Sequence, residues 1–269
     1  MRYFFHIGYN GFNYHGWQRQ AEHLSVQQVL EENLTKVLKE PVTILGCGRT
    51  DAQVHATQYF FHLDTEQKWD YDLVFRLNKM LPADIAVFDI LPVKEDAHAQ
   101  YDAVQRTYDY FIHTQKDPFL TQTSSYYPLK DPDAGKMKAA AQLLTKYNDY
   151  RAFCKSPGKY EHTVCKVSSA RIFTEENGDK IRFQISSNRF LHGMIRAIVA
   201  KLLKVGTNEM TADAFEDLLI KKEAQAHLEF AYPHGLYLSK VVYPYLDMPA
   251  RTEFSSLFQN RVENEWQEA

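Results

Sequence analysis

Two kinds of segment follow one another twice along this chain, and their order constrains the fold more than any other feature. One kind alternates apolar and polar residues; the other repeats apolar residues at helical spacing. Arg2 to Tyr9 alternates, with Tyr3, Phe5, Ile7 and Tyr9 on one side and Phe4, His6 and Gly8 on the other, a period of two that predicts a strand. Ser25-Val26-Gln27-Gln28 has the form of a helix-capping box. Behind it Val26, Val29, Leu30, Leu34, Val37 and Leu38 recur at helical spacing until Pro41. Residues 42–45 predict a short buried strand and 54–63 a second, 71–80 a short helix closed by Leu81-Pro82, and 85–91 and 106–112 further strands. A second set follows: a helix over 131–144, then a hairpin of 167–174 and 180–186 turned by Glu176-Asn177-Gly178-Asp179. A long helix over 188–203 comes next, with a shorter one capped by Thr211 and a strand over 231–238. The repetition about residue 115 predicts a duplicated plan of strands and helices.

Composition narrows the class. Of 269 residues 45% are apolar and 24% charged, the balance of an ordinary globular chain with room for a sizeable core. No apolar run approaches the roughly 20 residues of a membrane span, so no membrane partner is expected. The start, Met1 to His6, lacks a signal-peptide layout. Cys47, Cys154 and Cys165 are too few and scattered for a disulfide framework. A cytoplasmic setting is the expectation. The formal charge of −3, from 31 Lys plus Arg against 34 Asp plus Glu, requires the cations to be unevenly placed if the partner is a nucleic acid. Cys47, His55 and His62 match no common zinc spacing, so no metal site is expected.

The chemistry concentrates in Gly46-Cys47-Gly48-Arg49-Thr50-Asp51-Ala52-Gln53-Val54-His55-Ala56. Two glycines permit a tight turn between strand-forming runs, and the turn presents Asp51 beside Arg49, an acid and a base aimed by a rigid scaffold. Read from the residues alone, such a turn is equally served by an aspartate that caps its own backbone. A carboxylate cleaving glycosidic bonds and a non-catalytic RNA binder with stacking aromatics are further readings of the same residues.

The stretch resembles the GxGRTDxGVHA signature of the TruA-like tRNA pseudouridine synthases, and four further blocks and a short link resemble that family in order. Tyr9-Asn10-Gly11-Phe12-Asn13-Tyr14-His15-Gly16-Trp17-Gln18-Arg19-Gln20 is similar to YDGxxYxGWQxQ, with Asn10 in place of an acid. His98 to Ile112 is similar to HARFxAxxRxYxY, with Gln100 in place of Arg. Residues 188–199 resemble NxFLxxMVRxIV, with Gly193 and Ala197 where His and Asn are often found. Ala231 to Leu238 resembles APxxGLxL, and Asn148 to Phe153 a short HDFxxF link. The signature itself is broken at Gln53, where the family has glycine.

The resemblance implies an α+β chain: two similar α/β halves around a continuous, mainly antiparallel sheet, helices packed on one side, and the active cleft between the halves. It divides the chain into 1–115, carrying the catalytic Asp, 116–248, completing the pocket, and an extension over 249–269 that reads as a docked helix. It implies isomerisation of uridine to pseudouridine in tRNA, with uridines at about positions 38 to 40 of the anticodon arm as targets, whose extrusion from the stem is required. Asp51 would be the catalytic carboxylate. Tyr108 would stack on the flipped uracil, Arg196 would pair with Asp51, Arg49 would hold a phosphate or fill the vacated stack, and Leu238 would wall the pocket. No cofactor is implied. The partners implied are tRNA and a second copy of the chain in a homodimer. The alternative is a retargeted or catalytically altered paralogue that acts on, or only binds, another RNA.

Overall fold

The computed structural model describes residues 1–175 and 178–249. The expected turn at Glu176-Asn177 and the helix expected beyond Pro249 lie outside the described residues. Among the described residues, nine strands and five α-helices make a mixed, mostly antiparallel α+β architecture. No helix there is long and apolar enough to cross a membrane. The chain divides into two compact units, Met1–Arg106 with Tyr237–Ala250, and Thr107–Leu236.

In the first unit β1 (Arg2–Tyr9) lies antiparallel between β3 (His55–Asp64) and β4 (Ile85–Val93). The short β2 (Leu45–Gly46) flanks β3. Further along the chain, β9 (Leu236–Val242) runs parallel to β3, with His55 opposite Tyr237 and Ala56 opposite Leu238. Phe4 through Gly8 are buried on both faces of β1, so the alternation in the sequence marks aromatic against small or polar residues rather than inside against outside. Phe5 sits opposite Phe61 in register, their rings stacked 4.8 Å apart. Helix α1 (Val26–Leu38) starts where expected, because the Ser25 side chain accepts from the Gln28 N–H at 3.2 Å. The Gln28 side chain bonds Glu32 instead of returning to the cap. Buried Glu31 is satisfied by Arg19 at 3.0 Å, Gln27 at 3.0 Å and the Ile44 N–H at 3.3 Å, as a buried carboxylate must be. Helix α2 (Leu73–Met80) is capped by Asp72. The strand expected over 42–45 is reduced to Leu45–Gly46, with Ile44 buried and Leu45 exposed.

In the second unit β5 (Gln105–His113), β8 (Lys180–Ser187) and β7 (Val167–Thr174) lie side by side in that order, and β6 (Ser125–Tyr126) runs parallel to β5. β7 and β8 form the expected hairpin. Asp109, buried on β5, is held by Arg182 at 2.7 Å and Gln184 at 3.0 Å from β8. Helix α3 (Ala134–Leu143) begins later than expected: Asp133 is its cap, and Asp131 has a left-handed φ of 47° that cannot continue a helix. Helix α4 (Met194–Gly206) buries Met194, Ile195, Ile198, Val199 and Leu202, each side chain contributing about 1.5–3 kcal/mol of apolar burial. It starts six residues after the expected Asn188, because Gly193 turns the chain through a φ of 73° just before it. Helix α5 (Ala212–Lys221) is capped by Thr211 as expected. The last strand runs over Leu236–Val242 rather than 231–238; a 3-10 turn at Pro233–Gly235 precedes it.

Candidate active site

Asp51 sits in a turn between β2 (Leu45–Gly46) and β3 (His55–Asp64). The Asp51 carbonyl accepts from the Val54 N–H at 3.2 Å, closing the turn. Gln53, third in that turn, takes a φ of 64°. This is the position where the family signature has glycine, and a left-handed side-chain-bearing residue there costs about 1–2 kcal/mol.

The loop 10–17 clasps this turn. The Gln53 N–H donates to the Tyr14 carbonyl at 3.0 Å, and the Trp17 N–H to the Thr50 carbonyl at 3.2 Å. Gly11 and Gly16 approach so closely that a Cβ on Gly11 would overlap the Val54 carbonyl and one on Gly16 the Thr50 carbonyl. Gly16 also needs its φ of 84°. The Thr50 hydroxyl is 2.9 Å from that of Tyr9, and His55 Nδ1 accepts from the Gly11 N–H at 3.0 Å while its ring stacks on Tyr237. Trp17, 2% exposed, stacks on Tyr59 at 4.1 Å, and the Tyr59 hydroxyl donates to the Gly48 carbonyl at 2.6 Å. The loop is therefore a structural clasp. Asn10 explains its own departure from the family block: its Oδ1 accepts from the Phe12 N–H at 3.0 Å, a task that an amide oxygen performs as well as a carboxylate.

Arg106, at the end of the first unit, is the residue that sequence reasoning passed over. Its Nε and Nη2 donate to the Cys47 carbonyl at 3.2 and 2.7 Å, Nη2 also to the Gln100 carbonyl at 2.8 Å, and Nη1 to the Ala103 carbonyl at 3.3 Å. The guanidinium thus ties the entry of the Asp51 turn to the segment before β5. The Arg within the RxYxY block was the signal that pointed to it.

Within this framework Asp51 is half-buried, Arg49 and Ala52 are exposed and Thr50 is buried. Leu238, 1% exposed, lies beside Ala56 on β9. Cys47 is buried and its thiol pushed up to about 11 by desolvation. His62 Nδ1 accepts from the Ala99 N–H at 3.2 Å.

Tyr108 and Arg196 belong to the second unit. Tyr108, 9% exposed, meets Phe190 edge-on at 5.1 Å. Arg196 lies on the flank of the buried stripe of α4, as its spacing predicts. Its Nε donates to the Ala231 carbonyl at 2.7 Å, the Ala231 N–H returns to the Arg196 carbonyl at 3.0 Å, and Phe230 packs under the guanidinium at 5.6 Å. Phe230 also fills the space above Gly193, where a Cβ would meet its ring at 2.5 Å. The missing side chain at 193 and the aromatic at 230 therefore go together. Both backbone groups of the next residue are held: the Tyr110 hydroxyl donates to the Tyr232 carbonyl at 2.7 Å, and the Tyr232 N–H donates to the Tyr127 hydroxyl at 3.0 Å. Burial raises the pKa of both tyrosines, so both stay protonated.

A carboxylate on an anchored, half-buried turn is suited to attack on, or charge stabilisation of, a sugar carbon. The family model described as tRNA pseudouridine synthase matches residues 7–102 and 140–244, and the chain belongs to that family of isomerases. Its relatives include tRNA pseudouridine synthase A of Porphyromonas gingivalis, 39% identical over 248 residues that cover 90% of this chain and 97% of that one. The protein of the same name from Parabacteroides distasonis is 41% identical over 246 residues, 90% and 96% of the two chains. That from Escherichia fergusonii is 37% identical over 247 residues, 88% of each.

Proposed function

We propose that this chain converts uridine to pseudouridine in tRNA, at about positions 38 to 40 of the anticodon arm, with Asp51 as the catalytic carboxylate. The N1–C1′ glycosidic bond breaks, the uracil turns and C5 bonds to C1′; C5 releases its proton and N1 gains one. The exchange is redox-neutral and leaves the net composition of the nucleoside unchanged, so it calls for no redox or energy cofactor. Asp51 is assigned to the sugar, Tyr108 to the face of the extruded uracil, and Arg196 to the ionised carboxylate of Asp51. Arg49 takes a phosphate or the vacated stack, and Leu238 the pocket wall. Residues 1–115 would then supply the carboxylate and 116–248 the rest of the machinery, in a cytoplasmic homodimer.

The observation that carries this reading is the clasp on Asp51 in a chain of this family. Gly11, Gly16, Tyr14 and Trp17 fix the turn through close approaches and hydrogen bonds to its backbone. The test is to map pseudouridine in tRNA incubated with the protein. Pseudouridine at 38 to 40 that disappears with Asp51→Ala supports it; free uracil among the products, or modification of another RNA alone, overturns it.

A further inference from the structure

Arg196 is the third residue of α4, a poor place for a cation. The N–H groups at a helix start act together as about half a positive charge. Here the cap is Gly193, whose missing side chain supplies no acceptor, and the first turn holds no acid. A guanidinium kept at that position depends on electron-rich groups brought from elsewhere in the fold.

The segment before β9 brings two such groups. The Ala231 carbonyl accepts from Arg196 Nε at 2.7 Å, and the Phe230 ring centre lies 5.6 Å from the guanidinium carbon, within the range of a cation–π contact. Both are carried on a strap stitched along the helix. Glu229 pairs with Lys204 at 2.6 Å and Lys201 at 3.5 Å, and the Ala231 N–H donates to the Arg196 carbonyl at 3.0 Å. Phe230 and Arg196 are both half-buried, and a cation–π contact strengthens as water is excluded from it. The ring reaches its place because residue 193 is glycine. A Cβ there would meet Phe230 Cε1 at 2.5 Å, and the φ of 73° at Gly193 disfavours most side chains in any case.

We infer that Phe230 is a positioning residue: its ring, seated over the bare Cα of Gly193, holds the Arg196 guanidinium in the direction that the Ala231 carbonyl sets. The inference rests on the proposed activity for the use made of Arg196, the pairing with the Asp51 carboxylate. A hydrogen bond through Nε fixes where that nitrogen sits but leaves the guanidinium plane able to turn about the N–H···O axis. A ring packed under the plane limits the turn, so the two Nη groups keep one direction. Residues 193 and 230 therefore act as one device, because a side chain at 193 and the ring at 230 claim the same space.

Exchange of the Arg196 Nε proton with solvent reads the hold directly, by proton–nitrogen NMR of the full chain, the signal being assigned by its loss in Arg196→Lys. Phe230→Leu keeps the apolar bulk and removes the ring. It is expected to speed that exchange about threefold to thirtyfold and to lower kcat for pseudouridine formation by a similar factor, with KM for tRNA held within about twofold. Phe230→Tyr keeps the ring face and is expected to retain both. Gly193→Asn accepts the left-handed φ but drives a Cβ into the ring; it is expected to speed exchange by itself and to add little to Phe230→Leu. Thermal melts confirm that each variant folds. Unchanged exchange in Phe230→Leu, equal acceleration in the Leu and Tyr variants, additive effects of the changes at 193 and 230, or an undiminished kcat in a variant whose exchange is fast overturns the inference. Fast exchange in Phe230→Leu alongside a wild type that forms no pseudouridine refutes the activity and leaves the hold on the guanidinium standing. Pseudouridine formed by wild type, with exchange and kcat both indifferent to Phe230→Leu, does the reverse.

Discussion

The turn that carries Asp51 and the helix start that carries Arg196 are held in place by different means. Around Asp51 main chain and glycine make the closest contacts, braced by the side chains of Arg106, Tyr59, Tyr9 and His55: Gly11 and Gly16 lie against the carbonyls of Val54 and Thr50, and N–H groups of Gln53 and Trp17 complete the clasp. Around Arg196 the work falls to side chains, with the Tyr110 and Tyr127 hydroxyls holding both backbone groups of Tyr232 beside the Ala231 carbonyl that holds the guanidinium. In the first arrangement neither Gly11 nor Gly16 has room for a Cβ. The second is adjustable, and Phe230 has already taken the space above Gly193.

The contrast breaks most sharply at Gly11. Gly11→Ala drives a Cβ into the Val54 carbonyl, and equilibrium urea unfolding is expected to show a loss of about 3 kcal/mol or more, because backbone on both sides must shift. Acid comes next, and acts on β3. His62, 2% exposed, is held neutral in the fold, its pKa lowered to about 4 by burial and then by Arg2 and His98. In the unfolded chain it returns to its ordinary 6.5, so the unfolded state binds the proton more tightly. Stability is full above about pH 6.5 and falls as pH drops toward about 4, by about 3 kcal/mol from this residue. Denaturation midpoints measured at pH 7 and pH 4 check this, and His62→Gln is expected to flatten the dependence. In the region of Arg196, Tyr127→Phe leaves the Tyr232 N–H without its acceptor and is expected to cost about 1–2 kcal/mol by the same unfolding measurement. The smallest effect is a gain: Gln53→Gly relieves the left-handed φ of 64° and is expected to stabilise by up to about 1 kcal/mol, read as a rise in melting temperature.

The regularly spaced elements were legible in the letters. β1, the capped start of α1, α2 with its Leu81-Pro82 stop, the β7–β8 hairpin and α5 follow from periodicity and capping chemistry. The misplaced boundaries share a cause. Asp131 and Gly193 adopt positive φ, a backbone choice that an apolar pattern cannot encode, so α3 and α4 start later than their stripes suggest. The residues expected at the site were legible as types, since an acid, an arginine and a tyrosine stand at family positions. What supports them was not. Arg106 reaches four backbone acceptor contacts far from it in sequence or across a loop, and the roles of Gly11, Tyr127 and Phe230 depend on close approaches that only folding creates. Trp17, buried in the anchored loop, stacks on Tyr59.

The central claim, that Asp51 performs the isomerisation, is tested most directly by tritium release from tRNA labelled at uracil C5, with wild type and Asp51→Ala compared at equal tRNA occupancy. The account predicts release by wild type and none above background by the variant, with the variant's unfolding midpoint and tRNA affinity close to those of wild type. Appreciable release by a folded Asp51→Ala protein would contradict it.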